Sequence, residues 1–146
     1  MNLPDPTEVL PHREPFLWID RCVELGEDRV VCERTFRADE PFFAGHFPGH
    51  PVVPGVLLLE GLAQTLAYFA LRSSPGAVVM LTGVDRCRFR RPVRPGETVR
   101  FEAVVERALL GVVTARATAT VAGALAASAT IKGYMPGAGE TADPHG

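Results

Sequence analysis

Apolar and polar residues alternate along several stretches of the chain, which is the pattern of half-buried β-strands. The clearest case lies within residues 97–107, where Val99, Phe101 and Ala103 alternate with Arg100 and Glu102. We predict six strands on this basis, with turns rich in glycine and proline between them. The predicted strands span residues 16–25, 29–36, 77–90, 97–107, 112–122 and 125–134.

A different pattern occupies residues 56–71, where apolar side chains cover every face of a predicted helix. Pro54 and Gly55 stand at its start, where the fixed φ of proline suits the first turn. A helix that is apolar all round is a buried helix. Its few polar side chains are those of Glu60, Gln64, Thr65 and Tyr68.

Together these elements predict an α+β domain in which a curved antiparallel sheet wraps around one long central helix. Such a sheet hides the helix on most sides, which explains why the helix has no polar face. We expect the last four strands to form an antiparallel meander and a partner subunit to cover the open flank of the helix. Residues 1–136 are predicted to form this single domain, and residues 137–146 a flexible C-terminal tail.

Composition narrows the classes of function. The 146 residues carry a formal net charge of −2, which gives no general attraction to nucleic acid. Three widely spaced cysteines indicate neither a disulfide framework nor a zinc site. We expect a cytoplasmic protein without a membrane span, because the acidic, proline-broken N-terminus is unlike a signal peptide and the apolar helix is short and contains Glu60.

Glu60 is the anomaly of the predicted core, because an ionised carboxylate buried there costs several kcal/mol unless it is paired or protonated. Gln64 lies one turn further along the same helix face and can hydrogen-bond the carboxyl group. A carboxyl group that stays protonated can donate its proton to a leaving hydroxyl group. A satisfied structural glutamate is the alternative interpretation.

His46 and Gly55 add to this candidate chemistry. His46 lies in a proline-braced loop, and histidine is the side chain best suited to move protons near neutral pH. Gly55 opens the helix, so its N–H lacks an acceptor within the helix and lies at the positive end of the dipole. With Glu60 they supply the base, oxyanion donor and acid that remove a proton α to a carbonyl and expel a β-leaving group. His46 and Glu60 are 14 residues apart, a spacing that leaves open whether they meet within one subunit or across a dimer interface.

Most loop histidines are structural or solvated, and this interpretation applies first to two others. We interpret His50 as solvated and His12 as a residue that braces the N-terminal segment. The residues alone leave both a structural and a catalytic interpretation of His46 open.

Three segments resemble one known family. GHFPGHPVVPGVLLLEGLAQ, residues 45–64, resembles the active-site segment of the FabZ-type (3R)-hydroxyacyl-[acyl-carrier-protein] dehydratases. LPHREPFLWIDRCVEL and GVDRCRFRRPVRPGE resemble two further signatures of that family, in the right order. The resemblance implies a hotdog fold, an obligate homodimer with shared active sites, often assembled as a trimer of dimers, and no metal or organic cofactor. It also implies dehydration of (3R)-3-hydroxyacyl thioesters, held on the phosphopantetheine of acyl carrier protein, to trans-2-enoyl thioesters in fatty acid or related polyketide or polyene biosynthesis.

The resemblance also assigns roles by position. His46 matches the catalytic histidine, and Glu60 matches the catalytic glutamate, which acts with the histidine of the neighbouring subunit. Gly55 matches the glycine whose N–H polarises the thioester carbonyl, and Gln64 the glutamine that orients the glutamate. The residues implied to line the acyl tunnel are Phe47, Pro48 and Val53. A glutamate at the position of the catalytic acid, here Glu60, favours dehydration without isomerisation.

The chain departs from the family pattern in three places, one of which is Glu97 where aspartate usually follows Pro-Gly. Gly61 follows Glu60 where alanine is common, and we expect it to let two central helices approach one another. Val79, Met80 and Leu81 stand where the family often has aromatic residues, which points to an acyl group of unusual shape.

A basic cluster follows in the later signature, on one predicted strand face and the turn after it. It is suited to docking an acidic carrier protein, although a solvated strand face that protects a sheet edge is the simpler interpretation. Its members are Arg86, Arg88, Arg90, Arg91 and Arg94.

Two classes of alternative function remain. One is another reaction on acyl thioesters, either thioester hydrolysis or hydration of an enoyl-CoA. The other is a non-catalytic acyl-chain-binding or structural subunit, against which the presence of both His46 and Glu60 argues.

Overall fold

The computed structural model describes residues 2–136. The predicted tail, residues 137–146, lies outside the described residues. Within residues 2–136, three helices and six strands follow one another. Their bounds are α1 Pro6–Val9, β1 Arg21–Leu25, β2 Arg29–Thr35, α2 Phe42–Gly45, α3 Gly55–Leu71, β3 Met80–Phe89, β4 Thr98–Leu109, β5 Val112–Val121 and β6 Ala124–Tyr134.

All strands described form one antiparallel sheet in the order β1-β2-β4-β5-β6-β3. Strands β4, β5 and β6 form the predicted meander, but the prediction that it includes four strands is wrong. β3 pairs with β6 instead of β4, so the chain crosses the sheet between β3 and β4. β3 therefore lies at an edge of the sheet, where its outer backbone groups have no strand partner within the described chain.

The buried helix α3 packs against the inner face of the sheet, as the apolar pattern predicts. Leu58, Leu62 and Leu66 are at most 2% exposed, and the inward-facing Phe101 of β4 is fully buried. A Cβ atom at Gly61 would lie only 2.3 Å from the Phe101 ring. We expected Gly61 to let a second helix approach. In this structure its missing side chain instead makes room for the Phe101 ring.

The sequence pattern predicts too great a length for the first strand, and it does not predict the short helix α2. We predicted a strand from residue 16, whereas β1 begins at Arg21. The backbone of residues 16–18 instead bonds to the side chain of Gln64, with Trp18 N–H donating to it and Phe16 O accepting from it. Helix α2 has only four residues, too few for a hydrophobic period to show in the sequence. No helix within residues 2–136 is long and apolar enough to cross a membrane.

A buried ion pair fixes the start of the loop that leads to α2. The guanidinium group of Arg34 contacts the carboxylate of Glu40, and their side chains are only 4% and 6% exposed. Arg34 also donates to Leu17 O at 2.7 Å and lies against the rings of Trp18 and Phe36. The pair therefore ties the loop after β2 to the N-terminal segment.

Replacement of Glu40 by glutamine leaves the buried Arg34 charge without its counterion. We expect Glu40→Gln to lower the free energy of unfolding by about 3 kcal/mol, the usual cost of breaking one side of a buried pair. Urea unfolding measures this. Asp39→Asn is the control, because the Arg37–Asp39 pair is 62% and 83% exposed and should contribute less than about 1 kcal/mol. Equal losses in the two variants would contradict the proposed anchoring role.

Candidate active site

His46 caps the C-terminal end of α2 and directs one ring nitrogen at the backbone. Its Nδ1 lies 3.0 Å from the carbonyl oxygen of Val52. A carbonyl oxygen can only accept, so Nδ1 carries a proton, and the lone pair of the uncharged form is then the one on Nε2. The fold therefore leaves Nε2 as the ring nitrogen that can act as a base.

Backbone hydrogen bonds hold the loop around His46 in shape. Val52 N–H donates to His46 O at 2.9 Å, and Phe47 and His50 exchange bonds of 3.0 and 2.8 Å. The Phe47 ring stacks on the His46 ring at 4.1 Å but is half exposed. His50 and Pro48 are exposed, as expected for a solvated His50.

Glu60 and Gln64 are hydrogen-bonded as their helical spacing predicts. Gln64 Nε2 donates to Glu60 Oε2 at 3.0 Å and also to Phe16 O at 3.0 Å. Gln64 Oε1 accepts from Trp18 N–H at 2.8 Å, and the residue is 1% exposed. The N-terminal segment therefore fixes the amide of Gln64, which in turn orients the Glu60 carboxyl group. Sequence reasoning found the pair but not the backbone groups of residues 16–18 that hold it.

Glu60 is half-buried and faces a cavity of about 90 Å³ beside α3. His12 lies in the same cavity wall, a position that the bracing interpretation did not foresee. The sequence feature that could have placed His12 at the site is its position in LPHR, which belongs to one of the three segments that resemble the family. The lining residues are His12, Glu60, Ala63, Gln64, Leu66, Ala67, Val79, Leu81 and Gly133.

Gly55 lines a second, larger cavity of about 420 Å³ at the start of α3. As the first residue of the helix it has an N–H without an acceptor in the helix, and its open flank faces the ring of Phe89. A Cβ atom at Gly55 would lie 3.0 Å from that ring, so the backbone can be approached closely only because the residue is glycine. The lining residues are Val53, Gly55, Val56, Leu58, Phe89, Arg90, Arg91, Pro92 and Val93.

The predicted site residues thus fall into separate groups within one chain. Glu60 and Gln64 line the smaller cavity, Gly55 and Val53 line the larger one, and His46 lines neither. Phe47 and Pro48 also lie outside both cavities. The chain by itself holds each group in a defined orientation without enclosing all of them in one cavity.

The basic cluster is less regular than the predicted strand face. The pairing of β3 with β6 shifts register between Asp85 and Arg88, and Arg86 has a φ of 53°, so the simple alternation is interrupted. Arg91 is paired with Glu97 at 2.9 Å, and this guanidinium group lowers the pKa of Glu97. The other members carry no ion pair within residues 2–136; they are Arg86, Arg88, Arg90 and Arg94.

The six-stranded antiparallel sheet around one long buried helix defines a hotdog-fold protein. Solved structures share this fold: the dehydratase heterocomplex ApeI:P from Xenorhabdus doucetiae aligns with a TM-score of 0.82, 18% identity and 95% coverage of each chain. The PaaI protein of E. coli aligns with a TM-score of 0.61 and 18% identity over 77% of this chain and 80% of its own.

Sequence relatives identify the family within this fold class. Residues 10–130 match the family described as the FabA-like domain. A 3-hydroxyacyl-[acyl-carrier-protein] dehydratase FabZ of Chloroflexus aggregans is 48% identical over 126 residues, covering 84% of this chain and 88% of its own. The enzyme of the same name from Pseudothermotoga lettingae is 40% identical over 131 residues, covering 90% and 94%. The chain belongs to the FabA-like family and is of the FabZ type.

Replacement of Gln64 by leucine removes the amide that joins Glu60 to the N-terminal segment. We expect Gln64→Leu to lower the free energy of unfolding by about 1–3 kcal/mol, because Trp18 N–H and Phe16 O lose their buried partner. Urea unfolding provides the measurement, with Thr65→Val as the control. Thr65 is equally buried but bonds to Gly61 O and to the Cys32 thiol, away from the N-terminal segment, so its loss should cost about 1 kcal/mol or less. A smaller effect at Gln64 than at Thr65 would argue against the linking role.

Proposed function

We propose that this chain dehydrates (3R)-3-hydroxyacyl thioesters on acyl carrier protein to trans-2-enoyl thioesters, in fatty acid biosynthesis. Similarity to relatives that carry this activity in their names supports the reaction. The observation that carries the proposal is the hydrogen bond of His46 Nδ1 to Val52 O, which leaves Nε2 to act as the base. The same chain has Glu60 facing a cavity along the buried helix. The domain that performs it spans residues 1–136 and works in the cytoplasm without a cofactor.

The proposed reaction divides between three groups. His46 Nε2 removes the α-proton, and the electron pair moves into the thioester carbonyl, whose oxygen accepts a hydrogen bond from Gly55 N–H. As the double bond forms, the C3–O bond breaks, and a proton from Glu60 converts the departing hydroxyl group into water. Acid–base catalysis of this kind contributes ~10²–10⁴-fold, and a single oxyanion donor ~10²–10³-fold.

We place the complete site at the interface of a homodimer, in which His46 acts together with the partner subunit's Glu60. The separation of His46 from both cavities supports this arrangement. So does the edge strand β3, where Leu81, Val84 and Phe89 are at least 36% exposed. Apolar side chains on an unpaired strand edge favour a contact with a second copy. These dimers can assemble further into a trimer of dimers.

The acyl chain is proposed to run past Phe47, Pro48 and Val53. Val53 supports this placement directly, because it lines the larger cavity together with Gly55. Phe47 and Pro48, exposed in the single chain, would reach the tunnel from the opposing side of the dimer interface.

The central test follows formation of the enoyl-thioester absorbance with carrier-bound 3-hydroxyacyl substrates of several lengths. We expect turnover by the wild type and a loss of at least about 10²-fold in His46→Ala and in Glu60→Gln, because each lacks a proton-transfer group. The urea midpoint of unfolding should be the same for both variants as for the wild type. Absence of enoyl product at every length, or release of free thiol instead, would replace the dehydratase proposal by the binding-subunit or thioesterase alternative.

The basic cluster is proposed to dock the carrier protein. Arg90 supports this role because it lines the cavity of Gly55, while Arg88 is exposed on the same strand end without an ion pair. Arg91 contributes less in this proposal, since Glu97 already neutralises it.

Reversal of the charge at Arg88 should weaken docking without changing the chemistry. For Arg88→Glu we expect KM for the carrier-bound substrate to rise about tenfold at low salt, with kcat unchanged and the difference shrinking as salt is added. Arg107→Glu is the matched control, since Arg107 is also exposed but lies in the sheet row of Thr114 and Lys132. An equal rise in KM for both variants would show a general charge effect and no defined docking site.

A further inference from the structure

His12 is held rigidly although it lies outside the regular elements. The guanidinium group of Arg13 donates to Leu10 O at 2.9 Å and to His12 O at 2.7 Å, which closes the backbone into a fixed turn. Leu10 itself is fully buried in the core. The turn therefore sets the position of the His12 ring relative to α3.

The ring of His12 shares its cavity with one other ionisable group. Glu60 is that group, and the other polar side chain in the cavity wall is the amide of Gln64. The volume of about 90 Å³ is several times the ~10–15 Å³ that one water occupies by the same measure. The space thus accommodates a hydroxyl group or a water next to both His12 and Glu60.

The two ring nitrogens of His12 differ in access. Nδ1 is closed off from solvent and has no hydrogen-bond partner among the described residues. Nε2 is therefore the nitrogen available to a molecule in the cavity. Burial lowers the pKa of His12 by more than an ionised Glu60 would raise it, which favours the neutral ring.

A neutral donor is the suitable neighbour for a catalytic acid. A lysine or arginine at this position would stabilise the carboxylate form of Glu60 and reduce its ability to give up a proton. A neutral imidazole instead offers one N–H group, which can hold an oxygen atom without a net charge. His12 satisfies both requirements beside Glu60.

We propose that His12 and Glu60 form the subsite that receives the departing 3-hydroxyl group. His12 Nε2–H donates a hydrogen bond to the hydroxyl oxygen while Glu60 transfers its proton to the same atom. The C3–O bond then breaks, and the product water remains between the two side chains until it leaves. This inference rests on the proposed dehydratase function and adds a residue to it that the acid–base pair does not include.

Amide substitutions distinguish which ring nitrogen acts. The amide of glutamine reaches the position of Nε2, whereas that of the shorter asparagine reaches the position of Nδ1. We expect His12→Gln to keep kcat within about threefold of the wild type, and His12→Asn to lose about 10²-fold, the size of one preorganised donor. KM should change by less than about threefold in both, because the bond strengthens as the hydroxyl group leaves.

His12→Phe completes the series by keeping the ring volume without any donor. This variant should lose kcat to the same extent as His12→Asn, and its urea midpoint should equal that of the wild type. If it unfolds at a lower urea concentration, the comparison of His12→Gln with His12→Asn provides the test. A kcat for His12→Asn within threefold of wild type, or losses confined to KM, would overturn the inference. Turnover by the wild type with losses in His46→Ala and Glu60→Gln tests the dehydratase function separately, so failure of either proposal is recognisable by itself.

Discussion

The structure depends on one buried amide, the side chain of Gln64. Its two Nε2 hydrogens and its Oε1 are all committed, to Glu60, Phe16 O and Trp18 N–H. An amide that is buried and fully bonded cannot rotate without leaving a polar group unsatisfied. The same contacts therefore close the N-terminal segment over the helix and set the direction of the Glu60 carboxyl group. Stability and chemistry are coupled at this residue.

Two further anchors act on the other parts of the site. The buried Arg34–Glu40 pair holds the beginning of the loop that carries His46, and the Val52 carbonyl then selects the tautomer of the His46 ring. Gly55 lies closer to the Phe89 ring than a residue with a side chain could. Each chemical group is thus oriented by a contact of its own, independent of the others. Such preorganisation is what makes donors and bases effective in catalysis.

The arrangement of the sheet explains why the single chain leaves these groups apart. The crossover after β3 places that strand at the sheet edge, next to the cavity that Glu60 and His12 share through Val79 and Leu81. An unpaired, apolar edge beside a half-open cavity is a surface that a second copy would complete. The proposed shared active site therefore follows from the same crossover that sets the order of the strands.

The sequence by itself determined the buried helix and five of the six strand positions to within a few residues, because hydrophobic periodicity is a local property. It also singled out Glu60, whose charge conflicts with its apolar surroundings, and its bond to Gln64, which follows from helical spacing alone. Only the tertiary structure decided that β3 pairs with β6, that Gly61 accommodates Phe101, and that His12 lies beside Glu60. Those facts depend on contacts between residues 38 or more positions apart, and no local pattern encodes which distant segments meet.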